Sequence, residues 1–93
     1  TMLKVRVTKA TLTKAIEYHA FEGHGLTPVL DDDADVCDWA RWVLADVMGC
    51  EAAELDAAGL VVAVDGDGVV IGVQAGKVGA DVLDAVRNHI NID

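Results

Sequence analysis

Side chains that bind metals or transfer protons are concentrated near residue 20 of this chain. His19, Glu22 and His24 lie within six positions of one another, and imidazole and carboxylate groups act both as transition-metal ligands and as general acids or bases. Cys37 and Cys50 add two thiols that also suit zinc. Zinc modules, however, usually contribute ligands in close pairs such as Cys-x₂-Cys, and the chain contains no such pair. We therefore expect no metal and no cofactor, and keep a small metal-binding domain or enzyme around His19, Glu22 and His24 as an alternative.

A metal-free acid or base would come from the same stretch, from Glu17, Tyr18, His19 or Glu22. Neither a nucleophile motif nor an oxyanion-hole motif accompanies these residues. We name no catalytic residue and expect that the chain is not an enzyme.

Two glycine-containing stretches match known ligand loops only in part. Asp65-Gly66-Asp67-Gly68 resembles the middle of a calcium loop, but the last ligand position falls on Gln74 instead of a bidentate glutamate. The stretch from Gly72 to Lys77 is one residue too short for a phosphate loop and lacks the serine or threonine that holds magnesium. A hairpin turn explains the first stretch better, and nucleotide binding is not expected at the second.

The net charge of −9 is unevenly distributed along the chain. Residues 1–14 carry +4, so residues 15–93 carry −13. Direct binding to nucleic acid or to anionic membranes is therefore not expected, because both depend on basic residues. A basic protein surface is the partner that this charge favours. The residues expected to contact it are Asp31, Asp32, Asp33, Asp35 and Asp38.

Our leading hypothesis is a small acidic protein-interaction module: an inhibitor, an adaptor or an assembly factor. An inhibitor encoded by a phage or mobile element and directed at a basic, nucleic-acid-handling protein fits the size and charge, because carboxylates can occupy sites built for phosphates. Two plainer interpretations stay open. The aspartates can form a solvated helix entrance, and high negative charge can keep a small protein monodisperse.

The length of 93 residues predicts one globular domain over 1–93. No apolar run reaches the length of a membrane span and no signal-peptide pattern follows Met2, so a cytoplasmic location is expected. Cys37 and Cys50 are expected to be reduced. They are thirteen positions apart, which on one helix corresponds to roughly 20 Å, far beyond the reach of a disulfide.

An amphipathic helix between Asp31 and Gly49 contains both tryptophans, and we expect these to fill much of the core. Asp33 or Asp35 is the expected N-cap and Gly49 the expected stop. The other predicted elements are a strand at 3–8, a helix at 11–22 capped by Thr11 or Thr13 and stopped by Gly23, a short helix at 51–58, a hairpin at 60–74, and a helix at 78–88 followed by a polar tail to residue 93.

The resulting order is β-α-α-(short α)-β-β-α, an α+β fold in which about three helices cover one face of a three-stranded, largely antiparallel sheet. The other face has an apolar centre and a basic edge. We expect it to lie at a homodimer or partner interface, so a homodimeric structural component is a further alternative. The predicted interface residues are Lys4, Arg6, Val61, Ala63 and Val70.

Overall fold

The computed structural model describes residues 1–91 and confirms the predicted two-layer α+β fold. Ile92 and Asp93, the end of the predicted polar tail, lie outside the described residues. The elements are β1 (Met2–Thr8), α1 (Lys9–His24), α2 (Asp33–Met48), α3 (Ala52–Ala57), β2 (Val61–Asp65), β3 (Gly68–Gln74), α4 (Lys77–Ala85) and a π-helical turn (Val86–Ile90).

The sheet has the strand order β1-β3-β2, with β3 paired antiparallel to both neighbours. In the hairpin, Val64 pairs with Val69 and Asp65 with Gly68, which leaves Gly66 and Asp67 as the two-residue loop that the sequence predicts. Gly66 has φ 64, and within residues 1–91 every residue with a positive φ is a glycine. This combination fits a type II′ turn, whose first central position requires glycine.

The core lies between one face of the sheet and the helices, and within residues 1–91 it contains no buried polar or charged side chain. Its fully buried members are aliphatic. The largest of them are Leu12, Ile16, Leu44, Leu55, Ile71 and Ile90.

The expectation that the tryptophans fill the core is wrong. Trp39 and Trp42 are only partly buried and pack against the margin of the core. The space between α2 and the sheet is occupied by smaller residues, among them Val43 and Leu44. The apolar stripe read from the sequence is wider than the face of α2 that contacts the sheet, and the indoles lie on its flank, where their N–H groups can reach water.

The ends of the first helix differ from the prediction. Thr8, not Thr11 or Thr13, is the N-cap: its hydroxyl accepts a 3.1 Å hydrogen bond from the Thr11 N–H. Gly23 remains helical, and the chain leaves the helix at Gly25, which has φ 65. The helix is longer than predicted because these two flanking residues have the required backbone conformations, extended at Thr8 and left-handed at Gly25.

The second helix ends where predicted, but its N-cap is neither Asp33 nor Asp35, the two residues that the sequence suggested. Asp32 has an extended backbone and is the N-cap, so Asp33 and Asp35 lie within the first turn. Gly49, with φ 67, is the stop. Cys37 and Cys50 are free thiols, as expected.

Helices α1 and α2 run in the same general direction. Lys9, at the start of α1, forms a 2.8 Å ion pair with Asp33 at the start of α2, and His24, at the end of α1, contacts Asp46 near the end of α2. Residues 25–32 must therefore travel back along the length of α2 without regular structure. We call residues 25–32 the return segment.

The C-terminal helix ends at Ala85, earlier than the sequence predicts, and a π-helical turn follows. Within the turn, the Asn91 N–H donates to the Val86 carbonyl at 2.8 Å, and Val86 and Ile90 are both fully buried. Among the described residues, none of the helices is both long and apolar enough to cross a membrane.

Candidate functional site

The flank of α2 that turns away from the sheet carries a group of packed aromatic rings. The rings of Trp39 and Trp42 meet edge to face with centroids 5.1 Å apart. Trp42 also lies edge-on against His24 at 4.9 Å and against His19 at 5.7 Å. These four rings form one continuous cluster across the end of α1 and the outer flank of α2.

Asp46 links the two histidines. The Nε2 atoms of His19 and His24 lie 2.8 and 2.9 Å from the same oxygen, Oδ2 of Asp46, so each imidazole donates a hydrogen bond to that carboxylate. The hydrogen bond from His24 and then the one from His19 lower the pKa of Asp46, while partial burial opposes them. Asp46 is therefore ionised at neutral pH. We call His19, His24 and Asp46 the histidine–aspartate cluster.

Solvent reaches this cluster. The exposed fraction is 22% for the His19 side chain and 37% for His24 and for Asp46. Trp42 lies one helical turn before Asp46, which places its indole beside the carboxylate. The cluster is thus held against an aromatic wall on one side and open to water on the other.

Of the three residues in the metal-binding interpretation, His19 and His24 belong to the cluster and Glu22 does not. Glu22 is exposed and takes no part in the cluster, whereas Asp46 does. Cys37 and Cys50 are also outside the cluster. The sequence carried no local signal for the contact of Asp46 with α1, because 22 and 27 positions separate it from the two histidines.

The predicted partner-binding aspartates divide into two groups. The Oδ1 atom of Asp32 accepts from the Asp35 N–H at 2.9 Å, Asp35 accepts from the Asp31 N–H at 3.2 Å, and Asp33 pairs with Lys9. Within residues 1–91, the carboxylates of Asp31 and Asp38 make no hydrogen bond or ion pair. Asp32, Asp33 and Asp35 are therefore engaged in building the entrance of α2, while Asp31 and Asp38 face solvent.

A shallow surface groove lies beside the aromatic rings. Its lining is Leu26 from the return segment together with Asp38, Trp39 and Trp42 from α2. Leu26 also lines a second depression, with Phe21 and Pro28 among its neighbours. The two depressions share Leu26 and therefore adjoin, and we call them together the apolar groove.

The outer sheet face has the composition that the sequence predicts. Val70 pairs with Arg6 on one side and with Ala63 on the other, so the three residues share one face. Lys4 and Val61 flank Gly72 in the same way, and Val61 is 53% exposed. The positive charge at this edge is partly compensated, because Arg6 pairs with Asp65 at 3.0 Å.

Comparisons with protein-family models, with curated proteins and with solved structures find no match for this chain. Two surfaces on the helical side of the molecule are therefore the basis for proposing what it does: the apolar groove and the histidine–aspartate cluster.

Proposed function

We propose that this chain is a small acidic protein-interaction module, and that its partner presents lysine or arginine side chains around an apolar anchor. The observation that carries the proposal is the apolar groove, in which Leu26, Trp39 and Trp42 lie beside the unpaired carboxylate of Asp38. An inhibitor, an adaptor and an assembly factor would each use such a surface.

Exposed apolar side chains support this placement because they are concentrated in the part of the chain that contributes Phe21 and Leu26 to the groove. Among the described residues 1–91, six large hydrophobic residues are exposed, and four of them lie between residues 18 and 29: Tyr18, Phe21, Leu26 and Val29. Tyr18 and Phe21 are 66% and 64% exposed. Single exposed apolar residues are ordinary, but a concentration with aromatic members is typical of binding sites, where a few such anchors supply most of the affinity.

The charge of the surrounding surface determines the class of partner. Asp38 and Glu17 line the groove, and Asp31 and Glu22 are exposed and close in sequence to residues that line it. None of these four carboxylates pairs with a cation within residues 1–91. A partner with a basic rim would neutralise them, which speeds association and adds selectivity more than raw affinity. The same charge disfavours direct nucleic-acid binding. A basic, nucleic-acid-handling protein, met by a phage- or mobile-element-encoded inhibitor, is the finer form of this proposal.

This proposal assigns different roles to the five aspartates. Asp31 and Asp38 would contact the partner directly. Asp32, Asp33 and Asp35 would act mainly by shaping the start of α2, since their carboxylates already have partners.

A capture experiment with matched variants tests the proposal. The purified chain is immobilised, and proteins bound at low salt are identified, purified and titrated against it by calorimetry. We expect a basic protein whose binding weakens strongly at high salt. Leu26→Ser and the pair Asp31→Asn/Asp38→Asn should each weaken binding at least 10-fold, or about 1.4 kcal/mol.

The control is a pair with the same change in charge elsewhere. Glu54 in α3 and Asp81 in α4 are exposed and lie outside the groove, so Glu54→Gln/Asp81→Asn should leave binding within about 2-fold. Binding that is insensitive to salt, or equally sensitive to both charge pairs, would contradict the proposal.

A second candidate function rests on the outer sheet face. Val61 and Ala63 are exposed on the edge strand β2, beside Val70 of the central strand, and self-association through this face would make the chain a homodimeric structural component. Light scattering tests it: a dimer that Val61→Asp and Val70→Asp convert to monomers would support this candidate, and a monomeric wild-type chain would exclude it.

A further inference from the structure

We propose that His19, His24 and Asp46 form a binding site for a divalent transition metal of the first row, with Zn²⁺ as the representative ion. This inference does not depend on the proposed interaction with a partner. It concerns a different surface chemistry, two imidazoles and one carboxylate brought together from two helices.

The spacing of the ligand atoms suits such an ion. One ligand atom from each of the three side chains lies within 4.8 Å of the other two. Bonds of about 2.0–2.1 Å in a tetrahedral zinc site place ligand atoms about 3.3 Å apart. On binding, the two nitrogen–oxygen distances of 2.8 and 2.9 Å would widen by about half an ångström, and the two imidazole nitrogens would settle about 3.3 Å from each other.

The type of donor determines the class of metal. Imidazole nitrogens suit zinc, copper, nickel and iron, whereas calcium and magnesium prefer sites built only from oxygen. Three protein ligands leave at least one coordination position for water or for a further ligand, as in sites that are not purely structural. The partial exposure of all three side chains provides a route for the ion.

Binding of the ion replaces the two hydrogen bonds to Asp46. Each Nε2–H now donates to Asp46, so each Nε2 must give up this proton, to Nδ1 of the same ring or to solvent, before its lone pair can bind the ion. The metal then replaces two hydrogen bonds with coordinate bonds and joins the end of α1 to α2.

The experiment titrates chelator-treated protein with Zn²⁺ by calorimetry and follows thermal unfolding with and without the ion. All samples carry Cys37→Ser and Cys50→Ser, so that thiols cannot bind the metal. We expect one Zn²⁺ per chain and a higher unfolding temperature, because ligands that bind only the folded state stabilise it. Co²⁺ should produce visible absorption bands and quench the fluorescence of the nearby Trp42.

Substitutions identify the ligands. His19→Ala, His24→Ala and Asp46→Asn should each weaken Zn²⁺ binding more than about 10-fold. A loss of about 10-fold in metal affinity is the smallest usually seen when a residue that only hydrogen-bonds to a ligand is replaced, and removal of the ligand itself should cost more. Two control variants should leave the Zn²⁺ affinity within about 2-fold of that of the parent. One is His89→Ala, which removes the third histidine, on the π-helical turn, and the other is Glu22→Gln, which lies close to His19 and His24 in sequence. Circular dichroism in chelator checks that each variant is folded.

Three results would overturn the assignment: no Zn²⁺ binding by the parent, equal losses in the His19→Ala and His89→Ala variants, or equal affinity for Ca²⁺ and Zn²⁺. Either of the first two results would show that His19 and His24 only donate hydrogen bonds to Asp46 and do not bind a metal there. Because the capture experiment above can be run in chelator, failure of one proposal leaves the other intact.

Discussion

The two sides of α2 differ in composition and in exposure to solvent. The side that faces the sheet carries Val36, Ala40, Val43 and Leu44, all at most 1% exposed. The outer flank carries Trp39 and Trp42, of which Trp42 contacts the histidines of α1, and the carboxylates of Asp38 and Asp46. Small aliphatic side chains fill the narrow core, while the bulkiest residues of the protein lie where a partner or an ion can reach them.

This contrast shows that the bulk of an apolar residue does not by itself predict burial. Tryptophan has a large apolar surface and one polar N–H, and it is often placed where one end of the ring is dry and the other is wet. In this protein the aromatic side chains that pack with His19 and His24 contribute to a surface site more than to the core. Substitutions on the inner side of α2 should therefore lower stability, and substitutions on its outer flank should weaken binding.

The largest effect is expected from Leu44→Ala on the inner side. Leu44 is fully buried, and truncating such a leucine costs about 2–5 kcal/mol of unfolding free energy. Leu26→Ser in the exposed groove should cost less than about 0.5 kcal/mol. Urea denaturation of both variants measures the difference, and similar losses would contradict the division between core and groove.

The inner side of α4 should be nearly as sensitive. A Cβ atom added at Gly79 would lie 2.2 Å from the backbone carbonyl oxygen of Gln74, which cannot rotate away as a side chain can. Gly79→Ala should therefore destabilise the fold by about 1–3 kcal/mol despite the better helix propensity of alanine. Asp81→Ala, at an exposed position of the same helix, is the control, and a stabilised Gly79→Ala variant would refute the close approach of α4 to β3.

The acidic entrance of α2 should show an intermediate effect. Asp32→Ala removes the cap that accepts the Asp35 N–H and should cost about 1 kcal/mol of unfolding free energy, within the usual range for N-caps. Asp38→Asn should change stability by less than about 0.3 kcal/mol while weakening partner binding. A larger loss of stability for Asp38→Asn than for Asp32→Ala, in thermal or urea unfolding, would contradict the assignment of Asp32 to the helix cap and of Asp38 to partner binding.

The smallest expected effect concerns the rates at which the thiols react. Burial raises the pKa of Cys37 and of Cys50, and for Cys50 the nearby carboxylates of Glu54 and Glu51 raise it further. A raised pKa reduces the thiolate fraction at any pH below it, so alkylation by iodoacetamide at pH 8 should be slower than for free cysteine. The difference should disappear in urea, and a folded-state rate above that of free cysteine would contradict the burial of these thiols.

The local elements were largely predictable because their causes are local. Alternation of apolar and polar residues in Leu3–Thr8 indicated β1, and the glycines around Asp67 indicated the hairpin and its register. Gly49 indicated the end of α2. Cap residues were harder: several threonines and aspartates are chemically suitable at each helix start, and only the backbone conformation selects Thr8 and Asp32.

The histidine–aspartate cluster and the apolar groove were not predictable in the same way. Short connections usually join antiparallel helices, which would place the end of α1 beside the start of α2. Here α1 and α2 run in the same direction, and the return segment brings Leu26 back to Trp39 and Trp42. The sequence by itself therefore determined the elements, the sheet register and the acidic charge, since these depend on nearest neighbours, periodicity and composition. Only the tertiary structure decided that His19 and His24 meet Asp46, because that contact depends on how two helices pack and not on any spacing along the chain.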